Sequence, residues 1–199
     1  MCSLSCEELI YADSIKKLLK ALKPVAEEDD ADAAVALLLK PVDRSFKLFF
    51  VKRAENPADP WSGQMAFPGG KRDPEDQNLK QTVVRETSEE TSINLLDRSR
   101  FLGVIEPLKS TRRPDMRILP FLILLEHEPT IKLNEELEWF VWISPEELLQ
   151  HKGTAKFGFG EVPAYVFGER VIWGLTYRIV EKFFQILGYA SNAHLHKMK

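Results

Sequence analysis

Apolar residues recur along this chain in two rhythms. Residues 7–23 (EELIYADSIKKLLKALK) set Leu9, Ile10, Ile15, Leu18, Leu19 and Leu22 on one side of an amphipathic helix. An acidic loop, Glu27 to Asp32, follows, and then the rhythm changes. Ala33–Val42 and Phe46–Val51 are nearly unbroken apolar runs, predicting two strands joined at Asp43-Arg44-Ser45. Arg53–Gly63 (RAENPADPWSG) is rich in turn formers and predicts a loop. Met65–Phe67 predicts a short strand that runs into Pro68-Gly69-Gly70. Helical spacing returns at residues 78–91, where Leu79, Val83 and Val84 form a stripe. Strands are predicted again at Phe101–Glu106, Ile118–Leu125 and Glu138–Ile143. Ser144-Pro145-Glu146-Glu147 reads as a helix start, with a Ser cap, Pro at the first helical position and acids in the first turn. Residues 171–188 (VIWGLTYRIVEKFFQILG) predict a last helix that stops at Gly188.

Strands alternating with three or four helices predict a mixed α/β sandwich. Residues 31–188 are expected to form one domain, with residues 1–30 as a helix and acidic loop packed on it. Residues 189–199 have no pattern and predict a flexible tail.

Composition narrows the function classes. At 44% hydrophobic and 29% charged, the chain has enough apolar content for one large core. A net charge of -3 leaves no footprint for duplex nucleic acid. Cys2 and Cys6 are the only cysteines, too few for a disulfide framework or a thiolate metal site. Glu7, Glu8 and Asp13 stand where a signal peptide needs an apolar stretch. No window approaches the roughly 18 apolar residues of a membrane helix. The expectation is a cytoplasmic enzyme with no membrane and no nucleic-acid partner.

The chemistry concentrates in Arg85-Glu86-Thr87-Ser88-Glu89-Glu90. On a helix Glu86, Glu89 and Glu90 share one face. Two unit charges ~5 Å apart repel by roughly 3 kcal/mol at an effective dielectric near 20. A hard divalent cation removes that cost, and oxygen-only ligands suit Mg2+ or Mn2+. A solvated acidic face is the competing reading, since exposure reduces the repulsion to a few tenths of a kcal/mol per pair. The Gly69-Gly70 turn upstream favours the metal, because glycines let the main chain approach phosphate or cation closely.

The segment GGKRDPEDQNLKQTVVRETSEETSI resembles the signature box of the Nudix hydrolases, G-x5-E-x7-R-E-U-x-E-E-x-G-U with U aliphatic. Arg85, Glu86, Glu89, Glu90 and Ile93 fall in register. Gly70 to Arg85 spans one residue more than the standard box, so the early acid is Glu75, Asp76 or Gln77 according to the end from which it is counted. Glu75 is the expected one. Thr87 replaces the aliphatic residue and Ser92 the late glycine. The resemblance implies an α/β/α sandwich around a mixed sheet, with Glu86, Glu89, Glu90 and Gly70 binding Mg2+ or Mn2+. Gly69, Gly70, Arg85 and Glu75 would support the box, Arg85 by pairing with a loop acid.

The implied reaction is attack by a metal-activated water on a pyrophosphate. Glu89 or Glu90 is a candidate for the proton acceptor, as are Glu135, Glu136 and Glu138 in NEELEW. Gly63-x3-Phe67-Pro68-Gly69-Gly70 and Ile172-Trp173-Gly174-Leu175-Thr176 resemble the coenzyme A pyrophosphatase branch, although Asp59 stands where that branch has arginine. Coenzyme A or a derivative is the expected substrate. ADP-ribose, dinucleoside polyphosphates and damaged nucleotides are alternatives, and so is a silent nucleotide-binding module. Arg53, Arg112, Arg113 and Arg117 are candidates for holding phosphate. Trp61, Trp139 and Trp142 are candidates for stacking on a base, or are core. A homodimer is compatible with the resemblance. His194 and His196 have the spacing of a metal pair without further ligands, and His127 and His151 assemble into no nucleophilic triad.

Overall fold

The computed structural model describes residues 6–25, 31–43, 45–57 and 61–189, with side chains from Asp13 onward. Cys2, the Cys6 thiol, the acidic positions 27–30, Arg44, Asp59, His194 and His196 lie outside the described residues, as does the tail from residue 190.

β1 (Ala33–Val42) runs through the middle of a mixed sheet. It pairs in parallel with β7 (Arg117–Leu125), from Ala33↔Ile118 to Leu39↔Leu124. Its side chains alternate between two cores. Ala34, Ala36 and Leu38 join Leu119, Phe121 and Ile123 on one face, and Leu37 and Leu39 join Leu122 and Leu124 on the other. Burial on both faces explains why these strands read as continuous apolar runs. β5 (Ser99–Val104) and β6 (Leu108–Lys109) both pair with β7, and β8 (Leu137–Ile143) lies along β2 (Ser45–Arg53).

The strands β1 and β2 pair only from Leu39↔Leu48 to Val42↔Ser45, and beyond that they part. The following segment fills the gap as a wedge. β3 (Met65–Ala66) pairs with β2, the Pro68 carbonyl accepts the Ala36 N–H at 2.8 Å, and β4 (Gly69–Lys71) pairs with β1. The Gly-Gly pair is therefore not the expected turn but the start of a strand. Glycine is required there because Gly69 has φ +142° and a Cβ would lie 2.2 Å from the Ala34 carbonyl oxygen.

One face of the sheet carries α2 (Leu79–Thr91), capped by Asn78, whose side chain accepts the Gln81 N–H at 3.0 Å. The other carries α1 (Cys6–Ala21) and α4 (Gly174–Leu187), where Ile15, Leu18 and Leu22 share a core with Val180, Phe183 and Leu187. Leu19, expected on the apolar face of α1, is 50% exposed, so the buried stripe is narrower than predicted. α3 (Pro145–Gln150) has the expected cap, completed by a reciprocal Ser144–Glu147 capping box. The result is an α/β/α sandwich around a mixed sheet.

A second, three-stranded antiparallel sheet, β9 (Lys152–Phe157), β10 (Gly160–Phe167) and β11 (Arg170–Trp173), precedes α4. Residues 171–173 were expected to be helical. They instead pair with β10, and the helix begins only where Gly174 turns the chain at φ +63°. Among the described residues, no helix is long and apolar enough to cross a membrane.

Candidate active site

The wedge brings Gly69 and Gly70 against α2. The Gly69 N–H donates to Glu90 Oε2 at 2.8 Å, and Glu90 is 4% exposed. Burial pushes its carboxyl up to about 8, against the opposing pull of that amide and of Arg53. Glu86 is also pushed upward, first by burial and then by neighbouring acids, although Arg85 pulls it back. A Cβ at Gly70 would lie 2.5 Å from the Glu86 carboxyl carbon, so glycine leaves this carboxylate the space it occupies.

Arg85 organises the box. It pairs with Asp76 through Nη2–Oδ2 at 2.9 Å and Nε–Oδ1 at 3.2 Å, and its Nη1 reaches Glu86 at 2.9 Å and Glu89 at 3.0 Å. The loop acid is thus Asp76, not Glu75. Asp76 is 8% exposed, and the guanidinium holds its carboxyl down at about 2, whereas the side chain of Glu75 faces solvent. Arg72 clamps the same loop, donating to the Asp76 and Gln77 carbonyls at 3.2 and 2.7 Å.

The three carboxylates do not converge. Glu86 and Glu90 line a cavity of about 610 Å³, while Glu89 stays outside it, drawn toward Arg85. Among the described residues, no three His, Cys, Asp or Glu side chains stand close enough together to hold a metal ion. The donor set still fits a hard cation. Glu90, raised to about 8 by burial, gains from a positive charge that lets it ionise, and burial raises Glu86 in the same direction.

The other predicted residues divide similarly. Arg53 lines the cavity, with Nη1 3.7 Å from Glu90 and Nη2 3.7 Å from Glu136. Glu136 lines it too; Glu135 is exposed, and Glu138 pairs with Lys52. Arg112 lines the cavity and lies over the Trp173 ring, 5.8 Å from its centroid. Arg113 lies outside the lining, over Trp61, and the Arg117 main chain is tied to Asp32. Of the three candidate tryptophans only Trp61 reaches the cavity. Trp139 lies under Arg170, and Trp142 packs on Phe49. His151 stacks on Phe167 and His127 meets the Arg98 carbonyl, neither of them in the cavity.

Sequence reasoning noted Trp173 only as part of a branch motif and missed Phe159; the two form an aromatic edge of the cavity, with Met116, Leu175 and Ile179 as apolar wall. The Trp-Gly pair inside an apparent helix was the available signal.

A NUDIX domain model matches residues 30–160. The mouse mitochondrial coenzyme A diphosphatase NUDT8 is 30% identical over 168 residues, covering 79% of this chain and 78% of that protein. The Caenorhabditis elegans peroxisomal coenzyme A diphosphatase ndx-8 is 33% identical over 152 residues, 73% of this chain and 63% of that protein. In fold, the chain is similar to the NUDIX domain of Shewanella oneidensis NrtR complexed with ADP ribose. That TM-score is 0.52 at 18% identity, over 86% of this chain and 97% of the other. With the box on α2 and this sandwich around it, the chain belongs to the Nudix hydrolase family.

Proposed function

We propose that this Nudix pyrophosphohydrolase cleaves the diphosphate of coenzyme A or a coenzyme A derivative, with Mg2+ or Mn2+ as cofactor. The observation that carries the hydrolytic reading is Glu90, buried beside Glu86 at the cavity and fixed by a main-chain amide. Coenzyme A is supported by the names of the two relatives and by the length of chain over which they match.

Glu86 and Glu90 would hold the cation, with Glu89 released from Arg85 to join them. When bound, a divalent ion polarises phosphoryl oxygens and lowers the pKa of bound water. The remaining work falls to this chain. The Gly69 amide fixes one Glu90 oxygen, leaving the other turned toward Arg53. Arg85 keeps Glu86 oriented through its anchor on Asp76. Arg53 offsets charge between Glu90 and Glu136, and Arg112 supplies a second guanidinium for phosphate. Glu136, more exposed than Glu90, takes the proton of the attacking water.

Purified protein is incubated with Mg2+ and, separately, coenzyme A, ADP-ribose, dinucleoside polyphosphates and oxidised nucleotides. Preferential release of 3′,5′-ADP and 4′-phosphopantetheine is expected. Preference for another compound would remove coenzyme A and leave the hydrolase class standing.

A further inference from the structure

The tip of the β9–β10 hairpin holds an aromatic group that the reading of the diphosphate end does not use. Phe159 is 65% exposed, the most exposed ring among the large described hydrophobics that line the cavity. It is nevertheless held in place. Phe157 lies parallel to it within 3° at 5.3 Å between centroids, and Trp173 stands 5.6 Å away. Trp173 also meets Phe157 at 4.5 Å and carries Arg112 over its ring. Two neighbouring rings thus orient a third whose outer surface stays open to the cavity. An exposed ring fixed in this way offers a flat π surface at little further entropic cost.

We propose that Phe159, backed by Phe157 and Trp173, is a stacking platform for the nucleobase of the substrate. This deepens the functional reading above and rests on it. The platform lines the same cavity as Glu86 and Glu90, so one molecule spans both ends: diphosphate at the carboxylates, base on the rings. Arg112, beside Trp173, is placed to meet phosphate carried on the nucleoside. A planar heterocycle suits the surface better than a flexible amide arm, because stacking uses ring faces and gains from a preordered partner. Phe159 itself carries no hydrogen-bonding edge, so its contact with the base is through the ring face and tolerates different bases.

The test titrates the two halves of coenzyme A, 3′,5′-ADP and 4′-phosphopantetheine, against the wild-type chain and against Phe159→Ala, Phe159→Leu and Phe159→Trp by calorimetry. Stacking is commonly lost about tenfold or more per ring removed. The nucleotide should therefore weaken by about that factor in both the Ala and the Leu variants and recover in the Trp variant. Phosphopantetheine should bind all four alike, and 3′,5′-GDP should bind the wild-type chain within a few-fold of 3′,5′-ADP. Nucleotide affinity indifferent to the ring, full recovery with leucine, or a loss confined to phosphopantetheine would each overturn the platform. The product assay separates the two readings. Ring-dependent nucleotide binding by a protein that leaves coenzyme A intact keeps the platform and removes that substrate. Coenzyme A hydrolysis with ring-independent binding does the reverse.

Discussion

Arg85 holds both oxygens of Asp76, at 2.9 and 3.2 Å, and so ties the loop before α2 to the middle of that helix. Asp76→Asn leaves the guanidinium without its buried partner and should lower unfolding stability by about 2 kcal/mol. Glu75→Gln should change it by less than about 0.5 kcal/mol. The sign in pH follows from the depressed carboxyl, about 2 in the fold against 3.8 ordinarily. Its stabilisation is complete above 3.8 and is lost as pH falls toward about 2. Urea midpoints of the two variants at neutral pH and at pH 3 check this; a larger loss in Glu75→Gln than in Asp76→Asn would return the role to Glu75.

Glu90 moves the opposite way. Its carboxyl is raised from 4.5 to about 8, so the metal-free fold keeps a proton that the unfolded chain releases. The resulting stabilisation is full below 4.5 and fades as pH rises through about 8. Glu90→Gln should remove that slope, melting at pH 8 no lower than the metal-free wild type, while hydrolysis falls by about 100-fold or more. Thermal melts at pH 5 and pH 8 read the slope, and an unchanged slope would contradict the assignment.

The two glycines of the wedge should fail differently. Gly69→Ala forces a side chain into φ +142° and onto the Ala34 carbonyl, costing about 2 kcal/mol or more of stability. Gly70→Ala meets the Glu86 carboxyl instead. It should largely spare the melting temperature and reduce Mg2+ affinity measured by calorimetry.

Thr87 is fully buried on α2, and its hydroxyl has no hydrogen-bond partner among the described residues. Thr87→Val fills the same space without a stranded polar group and should raise stability by about 1 kcal/mol in denaturant melts. A loss of similar size would show that the hydroxyl has a partner.

Legibility tracked local pattern. β1 and β7 were readable because both faces are buried, leaving apolar runs too short for helices. The start of α2 was readable to within a residue, with Asn78 as its cap. The β9–β10 hairpin was not, because its small sheet mixes Lys156 and Glu161 with Gly158, Gly160 and Pro163, breaking the alternation. Val171-Ile172-Trp173 suits helix or strand alike, and only pairing with β10 decides it. The acidic spacing of Glu86, Glu89 and Glu90 was visible, yet Arg85 drawing Glu89 outward is a matter of three-dimensional competition. Asp76 could not be chosen over its neighbours by counting, since the extra loop residue shifts the count.

The first amide of β4 ends on a side-chain oxygen of Glu90. This makes the Gly69 amide a built-in reporter: a carboxylate grips it more strongly than a neutral acid does. Sheet mechanics and carboxyl basicity are then coupled through one bond. At a given burial of Glu90, a shorter bond from Gly69 makes the acid stronger and a longer one makes it weaker. A single nitrogen resonance in the backbone spectrum would follow both.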